Sequence, residues 1–350
     1  MTTHAFEKEY LENFNDSLFN RGIKPNINPS INELKKILRS HVLFNILFIL
    51  LLSTEIIYFV IHLAFFIQTF VLAIHLAIIF ATIFCYFSLH MYANNKKIEK
   101  LAQLKSLFLQ KCEKRSSFSK DQLNHHRTIA ESCCEFAAEL HGLEYTIFPC
   151  PNWCQFLSLS IEKINCFLFW HDLHLLKETL LQSCIDEHIK LVRLEPIDLE
   201  AHAGLANAYV MLSGLYVDPR TVEGLDDDRW IPPNKYNPSF KSKFRTIAER
   251  AIEEFKILSD YAPNDPWVHA QLAFSYHDLQ MPNEEIKEYE TLIKLCPEDK
   301  ETFFKLGKLY FEQGENAKGL QIYEILKQAN YKKAENLILF YGAYSASTHI

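Results

Sequence analysis

From Val42 to His90 the chain reads VLFNILFILLLSTEIIYFVIHLAFFIQTFVLAIHLAIIFATIFCYFSLH, with one formal charge, Glu55, and neither Gly nor Pro. A helix needs about 20 apolar residues to cross the hydrocarbon of a bilayer, so this run has room for two spans and a short turn. The expected spans are 42–62 and 68–90, with the polar dip from His62 to Gln68 as the turn. A single soluble helix of that length, apolar on every side, would need an unusually large core to hide it. A secretory leader fits poorly, because the run is far longer than an h-region and carries no small-residue cleavage site.

Lys35, Lys36 and Arg39 flank the first span and Lys96, Lys97 and Lys100 the second, while the turn carries no cation. Cytoplasmic loops are enriched in Lys and Arg, so both termini are expected on the cytoplasmic side. The membrane would be a bacterial inner membrane, or a vacuole membrane if the protein is exported. Glu55 is costly in hydrocarbon when ionised, and it alone, with His75, raises the option of a small channel or transporter subunit. Asn45, Glu55, Gln68 and His75 are better suited to hydrogen bonds between helices or between copies, which makes self-association through this hairpin the preferred expectation.

The formal net charge of -7 excludes a general nucleic-acid binder, which would need a basic excess on one face. The charge is unevenly divided: 31–120 is locally basic and 195–301 acid-rich, as in the run Asp226-Asp227-Asp228. The nine Cys are irregularly spaced, with no Cys-x-x-Cys pair, which suits a reducing compartment and gives no zinc-site spacing. His125-His126, His171-x-x-His174 and Cys184-x-x-x-His188 complete no tetrahedral set, so no metal and no cofactor is expected. Phosphate-loop, dinucleotide, Gly-x-Ser-x-Gly and His-Glu-x-x-His signatures are missing, and an enzyme is not expected.

After the second span, Ile98, Leu101, Leu104, Leu107, Phe108 and Cys112 recur at helical spacing among lysines. Such a helix either lies on anionic lipid or continues the span as a stalk. A further helix is expected over Asp121–Phe148, closed by Gly142 and followed by the turn sequence FPCPNWC.

The C-terminal half has a fixed internal period. Leu272, Ala273 and Tyr276 are followed 34 residues later by Leu306, Gly307 and Tyr310, and Tyr289 by Tyr323. In the unit Pro266–Asp299 the pattern is carried by His269, Leu272, Ala273, Tyr276, Tyr289 and Pro297, with Glu285 standing where a small residue is expected. The unit Lys300–Lys333 carries Phe303, Leu306, Gly307, Tyr310, Gly319 and Tyr323. Leu205, Ala206 and Tyr209, then Ala251, Phe255 and Pro263, fit an earlier unit split by the insertion 213–242. Leu191 and Pro196 close a degenerate fourth unit whose first helix would be Leu168–Leu175, and Lys333–Tyr344 would cap the stack.

This pattern resembles the tetratricopeptide repeat (TPR) family. The resemblance implies an all-α architecture: a membrane-spanning helical hairpin at 42–92, a juxtamembrane helical region at 93–174, and a TPR-like α-solenoid of three to four helix pairs over 175–350. It also implies that a protein or peptide partner binds in the concave groove lined by first helices. The groove positions of the motif are Asn207 and Met211; Trp267, Phe274, His277 and Asp278; and Phe304, Lys308, Phe311 and Glu312. They lack the Lys, Arg and Asn cluster of the repeats that clamp an acidic C-terminus. Within the insertion, Tyr216, Trp230 and Tyr236 predict an ordered loop, and Asp226, Asp227 and Asp228 could face a basic partner.

The expected function is therefore a membrane-anchored scaffold. The layout of a short N-terminal segment (1–41), two close spans and a long tail is also similar to the inclusion-membrane proteins that chlamydiae export by type III secretion. That resemblance implies repeats displayed to host cytosol and a secretion signal within the N-terminal segment.

Overall fold

The computed structural model describes residues 24–63, 69–116, 122–150, 152–218, 230–232 and 235–342. Among them all regular structure is helical, with twelve α-helices and no strand. The chain divides into two compact units, one of Met1–Glu187 with Val222–Lys235, the other of His188–Thr221 with Tyr236–Ile350.

In the first unit, α1 (Lys24–His62) and α2 (Thr69–Ser116) carry the apolar run. Both are long and apolar enough to cross a membrane, and no residue in the most apolar stretch of either is buried. Residues of α1 in ascending order meet residues of α2 in descending order. His41 lies against His90 (ring centroids 5.8 Å apart), Phe48 against Tyr86 (5.5 Å), and Tyr58 stacks on His75 (5.6 Å). Thr82 donates to Glu55 Oε1 at 2.9 Å, and Asn45 Oδ1 sits 3.0 Å from His90 Nδ1. Three of the four polar residues singled out in the run thus face the neighbouring helix; the fourth, Gln68, lies outside the described residues.

Helix α2 does not break where the apolar run ends. Beyond Lys97 it turns Leu101, Leu104, Phe108 and Cys112 into a core, so this face is buried and does not lie on lipid. That core is completed by the first turns of α1 (Leu34, Leu38), by α3 (Gln122–Glu139) and by α5 (Ser158–Leu194), with Phe108 and Phe136 4.6 Å apart. Between α3 and α5 the expected helix over 121–148 is interrupted. Gly142 adopts φ 72, a short α4 (Leu143–Thr146) follows, and a 3₁₀ turn over Asn152–Leu157 leads into α5.

Helix α5 corrects one expectation. It is a single 37-residue helix, so the degenerate fourth pair, with a first helix over Leu168–Leu175, does not form. No Gly or Pro lies between Ser158 and Leu194 to close a turn there.

The second unit begins in the last turns of α5. It holds α6 (Leu199–Gly214), α7 (Pro238–Tyr261), α8 (Pro266–Asp278), α9 (Pro282–Leu295), α10 (Lys300–Glu312), α11 (Asn316–Gln328) and a short α12 (Ala334–Leu337). Helices pack closely as α6 with α7, α8 with α9, and α10 with α11. The starts are set by one device: Asp198, Asp265 and Asp299 accept from Glu200, Trp267 and Glu301 backbone N–H groups at the heads of α6, α8 and α10. The turns repeat as well. Met281 N donates to Tyr276 O, and Glu315 N to Tyr310 O, with Gln280 (φ 57) and Gly314 (φ 77) in the left-handed region.

The repeated Leu, small residue and Tyr are buried in all three pairs: Leu205, Ala206 and Tyr209; Leu272, Ala273 and Tyr276; Leu306, Gly307 and Tyr310. At the C-terminal end, α12 and a 3₁₀ turn over Ile338–Phe340 replace the continuous helix expected from Lys333 to Tyr344. Leu337 of α12 is fully buried and closes over Gly307.

Glycine marks the tightest helix contacts. A Cβ at Gly319 would lie 2.5 Å from the ring of Phe311, whereas one at Gly214 would meet nothing within 4 Å. Gly319→Ala is therefore expected to destabilise the chain by about 1–3 kcal/mol through overpacking, and Gly214→Ala to be neutral or slightly stabilising. Denaturant unfolding of the two variants checks this; equal stability would remove the close approach from the account.

Candidate functional site

The candidate surface is formed by α6, α8 and α10 in the second unit. A helix presents residues three and four apart on one side, so Asn207 with Met211, Phe274 with His277 and Asp278, and Phe304 with Lys308, Phe311 and Glu312 each share a face. Their exposure is uneven. His277, Asp278 and Glu312 are exposed, and Asn207, Met211, Trp267, Phe274, Phe304 and Lys308 are half-buried.

Most of these side chains already have neighbours. Trp267 meets Phe255 edge-on at 5.9 Å. Lys305 Nζ lies 5.0 Å from the centre of the Phe274 ring, and Lys308 Nζ lies 5.2 Å from that of Phe340. Phe304 is 6.3 Å from Tyr331, and Lys308 pairs with Glu312 at 3.4 Å. The open part of the face is thus a set of half-covered rings with Lys cations over them and acids beside them. Such a surface offers apolar contact together with charges of both signs.

Phe311 departs from the expected placement. Its ring is fully buried over Gly319, 5.7 Å from Tyr341, and lines no open surface. The motif position is the same as that of His277 one unit earlier, but an apolar ring there turns inward where the facing helix carries glycine.

His277 and Glu285 show the alternative solution at those same two positions. Glu285, where the repeat pattern calls for a small residue, is buried (side chain 6% exposed), and His277 Nδ1 donates to both of its carboxylate oxygens at 3.1 and 3.2 Å. Donating this hydrogen bond to Glu285 raises the His277 imidazole above its ordinary value. The departure from the repeat pattern is therefore matched by a partner 8 residues away.

The pairs His277/Glu285 and Phe311/Gly319 are expected to be interchangeable only as wholes. His277→Phe alone should destabilise by about 1–3 kcal/mol, because it strands a buried carboxylate. The double variant His277→Phe with Glu285→Gly should recover most of that loss, a coupling of about 1 kcal/mol or more in a double-mutant cycle of chemical denaturation. Additive effects would contradict it.

Two histidines, His202 and the repeat-pattern residue His269, hold the entrances of α6 and α8. His202 Nδ1 lies 2.6 Å from Glu254 Oε2 and its Nε2 3.1 Å from the Pro196 carbonyl. His269 repeats this with Glu288 (2.7 Å) and the Pro263 carbonyl (2.9 Å). Both ring nitrogens face acceptors, so only the protonated ring satisfies both contacts. Burial works against protonation. The hydrogen bonds to carboxylate and carbonyl, with the charges of Glu254 and Asp198 or of Glu288 and Asp265, outweigh it and raise both histidines. The signal was present as Pro-x-Asp-x-x-x-His at 196–202 and 263–269, with Phe303 taking the place of His in the third copy.

A His raised in the fold stabilises fully below its unfolded value and loses that contribution as pH rises through the folded one. The melting temperature should therefore fall as the pH rises above the ordinary histidine value of about 6.5, and less steeply in His202→Phe/His269→Phe, which copies the third unit. Thermal unfolding followed by circular dichroism at several pH values is the measurement; parallel profiles for both proteins would refute it.

In the loop between α6 and α7, Tyr216 is buried, with Phe240 edge-on at 5.3 Å and Lys243 Nζ 5.1 Å from its ring centre. Tyr236 meets Phe240 at 5.9 Å, and Trp230 is half-buried. Asp226, Asp227 and Asp228 lie outside the described residues. No group of three or more metal-ligating side chains occurs among the described residues; His126 instead pairs with Glu187 at 2.6 Å. Comparison with protein-family models and with curated proteins finds no match to this chain.

Proposed function

We propose that the chain is a membrane-anchored scaffold of tetratricopeptide type. In this reading α1 and α2 form a transmembrane hairpin with both ends on the cytoplasmic side. Helices α6 to α11 are three stacked repeats of a solenoid, and the face carrying Phe274, His277, Asp278, Phe304, Lys308 and Glu312 takes up a protein or peptide partner. The observation that carries the proposal is the three-fold recurrence of one construction, an Asp-capped first helix with a buried Leu, small residue and Tyr packed on a second helix. It stands in the same chain as two helices whose most apolar stretches hold no buried residue. The described surface offers shape, half-covered aromatic rings and mixed charge, which suit recognition better than turnover.

The test is affinity capture from solubilised membranes with the full chain and with the variant Phe274→Ala/Lys308→Glu/Glu312→Lys. All three side chains are half-buried or exposed, so the fold should survive, and bound partner should drop about tenfold or more if these residues form part of the binding centre. Equal recovery by a folded variant would remove this face from the function.

A further inference from the structure

Within the first unit, the 3₁₀ turn before α5 and the beginning of α5 expose apolar side chains, whereas the later turns of α5 bury theirs. Phe156 is 82% exposed, Phe167 63%, Leu159 61% and Ile164 58%, with Leu168 beside them at 40%. From Phe169 to Leu181 the same helix places its apolar residues, Leu175 apart, in the core.

The contacts of α5 fix where this exposed end lies. Lys97 Nζ reaches Asp172 Oδ2 at 2.8 Å and Lys105 Nζ reaches the Thr179 carbonyl at 2.8 Å, so α5 runs in the same sense as α2. Its beginning therefore lies toward the apolar end of α2. The level is set a second time from α1. Arg39 Nε donates to the Ile147 carbonyl at 2.9 Å, and Asn165 binds the backbone of Phe148 and Tyr145 through its side chain. Phe148 in turn lies 5.8 Å from Phe169. Asn165 is thus level with Arg39, the last cation before the apolar run. The seven residues back from Asn165 to Ser158 carry the helix about 10 Å further, past the point where α1 turns apolar.

We infer that the start of α5, with the 3₁₀ turn before it, is seated in the surface of the same bilayer that α1 and α2 cross. The inference rests on the membrane reading of those two helices. A depth of about 5–10 Å is that of an amphipathic helix at the boundary of headgroups and acyl chains. Exposed Glu162 and Lys163 keep the segment at this level, since their charged ends stay with the headgroups while neighbouring apolar atoms enter the lipid. The occupant of the apolar face is lipid, because the face continues the exposed apolar surface of α1 and α2 at the same height. A third attachment beside the two spans would fix the tilt of the first unit against the membrane.

The full chain is reconstituted into phosphatidylcholine vesicles and labelled with a photoactivated carbene reagent that partitions into hydrocarbon, and modified peptides are mapped by mass spectrometry. Expected are labels on the peptide spanning 156–168 together with those of α1 and α2, and background labelling at Ile197 and Leu339, which are 73% and 76% exposed. The variant Phe156→Asp/Leu159→Asp/Phe167→Asp should lose the label on 156–168 while keeping it on α1 and α2. Labelled spans with an unlabelled 156–168 peptide, whether left in water or covered by a second copy, would overturn this inference alone. So would equal labelling of Ile197 and Leu339. Unlabelled α1 and α2 would instead overturn the membrane reading.

Discussion

One unbroken helix, α2, governs the first unit. It runs from Thr69 to Ser116, begins with an apolar stretch of which one side meets α1 and the rest is exposed, and ends with Leu101, Leu104, Phe108 and Cys112 buried. No Gly or Pro interrupts it, so the rotation of the apolar half is fixed by the packing of the other half. The first turns of α1, α3 and α5 assemble around that buried stripe. Every depth along the apolar run therefore translates into a height in the packed core, at 1.5 Å per residue.

The second unit depends on a different constraint, the close approach of paired helices. At one recurring contact two solutions coexist, an aromatic ring over glycine (Phe311 and Gly319) and a histidine on a buried carboxylate (His277 and Glu285). The first gains apolar burial; the second satisfies a buried charge and leaves His277 open to solvent. The same position thus presents a cation-capable ring in one unit and nothing in the next. A face built this way is chemically uneven even where its backbone repeats.

Helical class, the apolar run and the in-phase Leu, small residue and Tyr were legible in the sequence because each is a local pattern of period 3.6 or 34. What was not legible depends on partners distant in the chain. The burial of Phe311 follows from Gly319 and α12, and the pairing of Glu285 follows from its access to His277. Asn165 gives no pattern at all, since its role is to bind three backbone groups of the 145–148 turn. The motif frame, continued upstream of Leu205, meets Leu191 and Pro196 in sequence but no helix pair in the fold. Nothing in 158–194 breaks a helix, and helix length follows breakers before it follows a repeat register.

Charge was the feature most changed by the fold. The basic helix after the second span reads in sequence either as a surface for anionic lipid or as a stalk, and in the fold several cations of the stretch 31–120 point inward. Arg39 is spent on the Ile147 carbonyl, Lys97 on Asp172 with both side chains nearly buried, and Lys105 on the Thr179 carbonyl. A cation committed to a buried acceptor is desolvated and adds little to long-range attraction, whereas one left in water remains available to lipid headgroups. These three residues act as fasteners between the apolar helices and the core. In the proposed membrane-anchored arrangement, attachment of the first unit depends on apolar contact more than on charge, and the lysines left exposed, such as Lys96 and Lys100, are those placed to meet anionic headgroups.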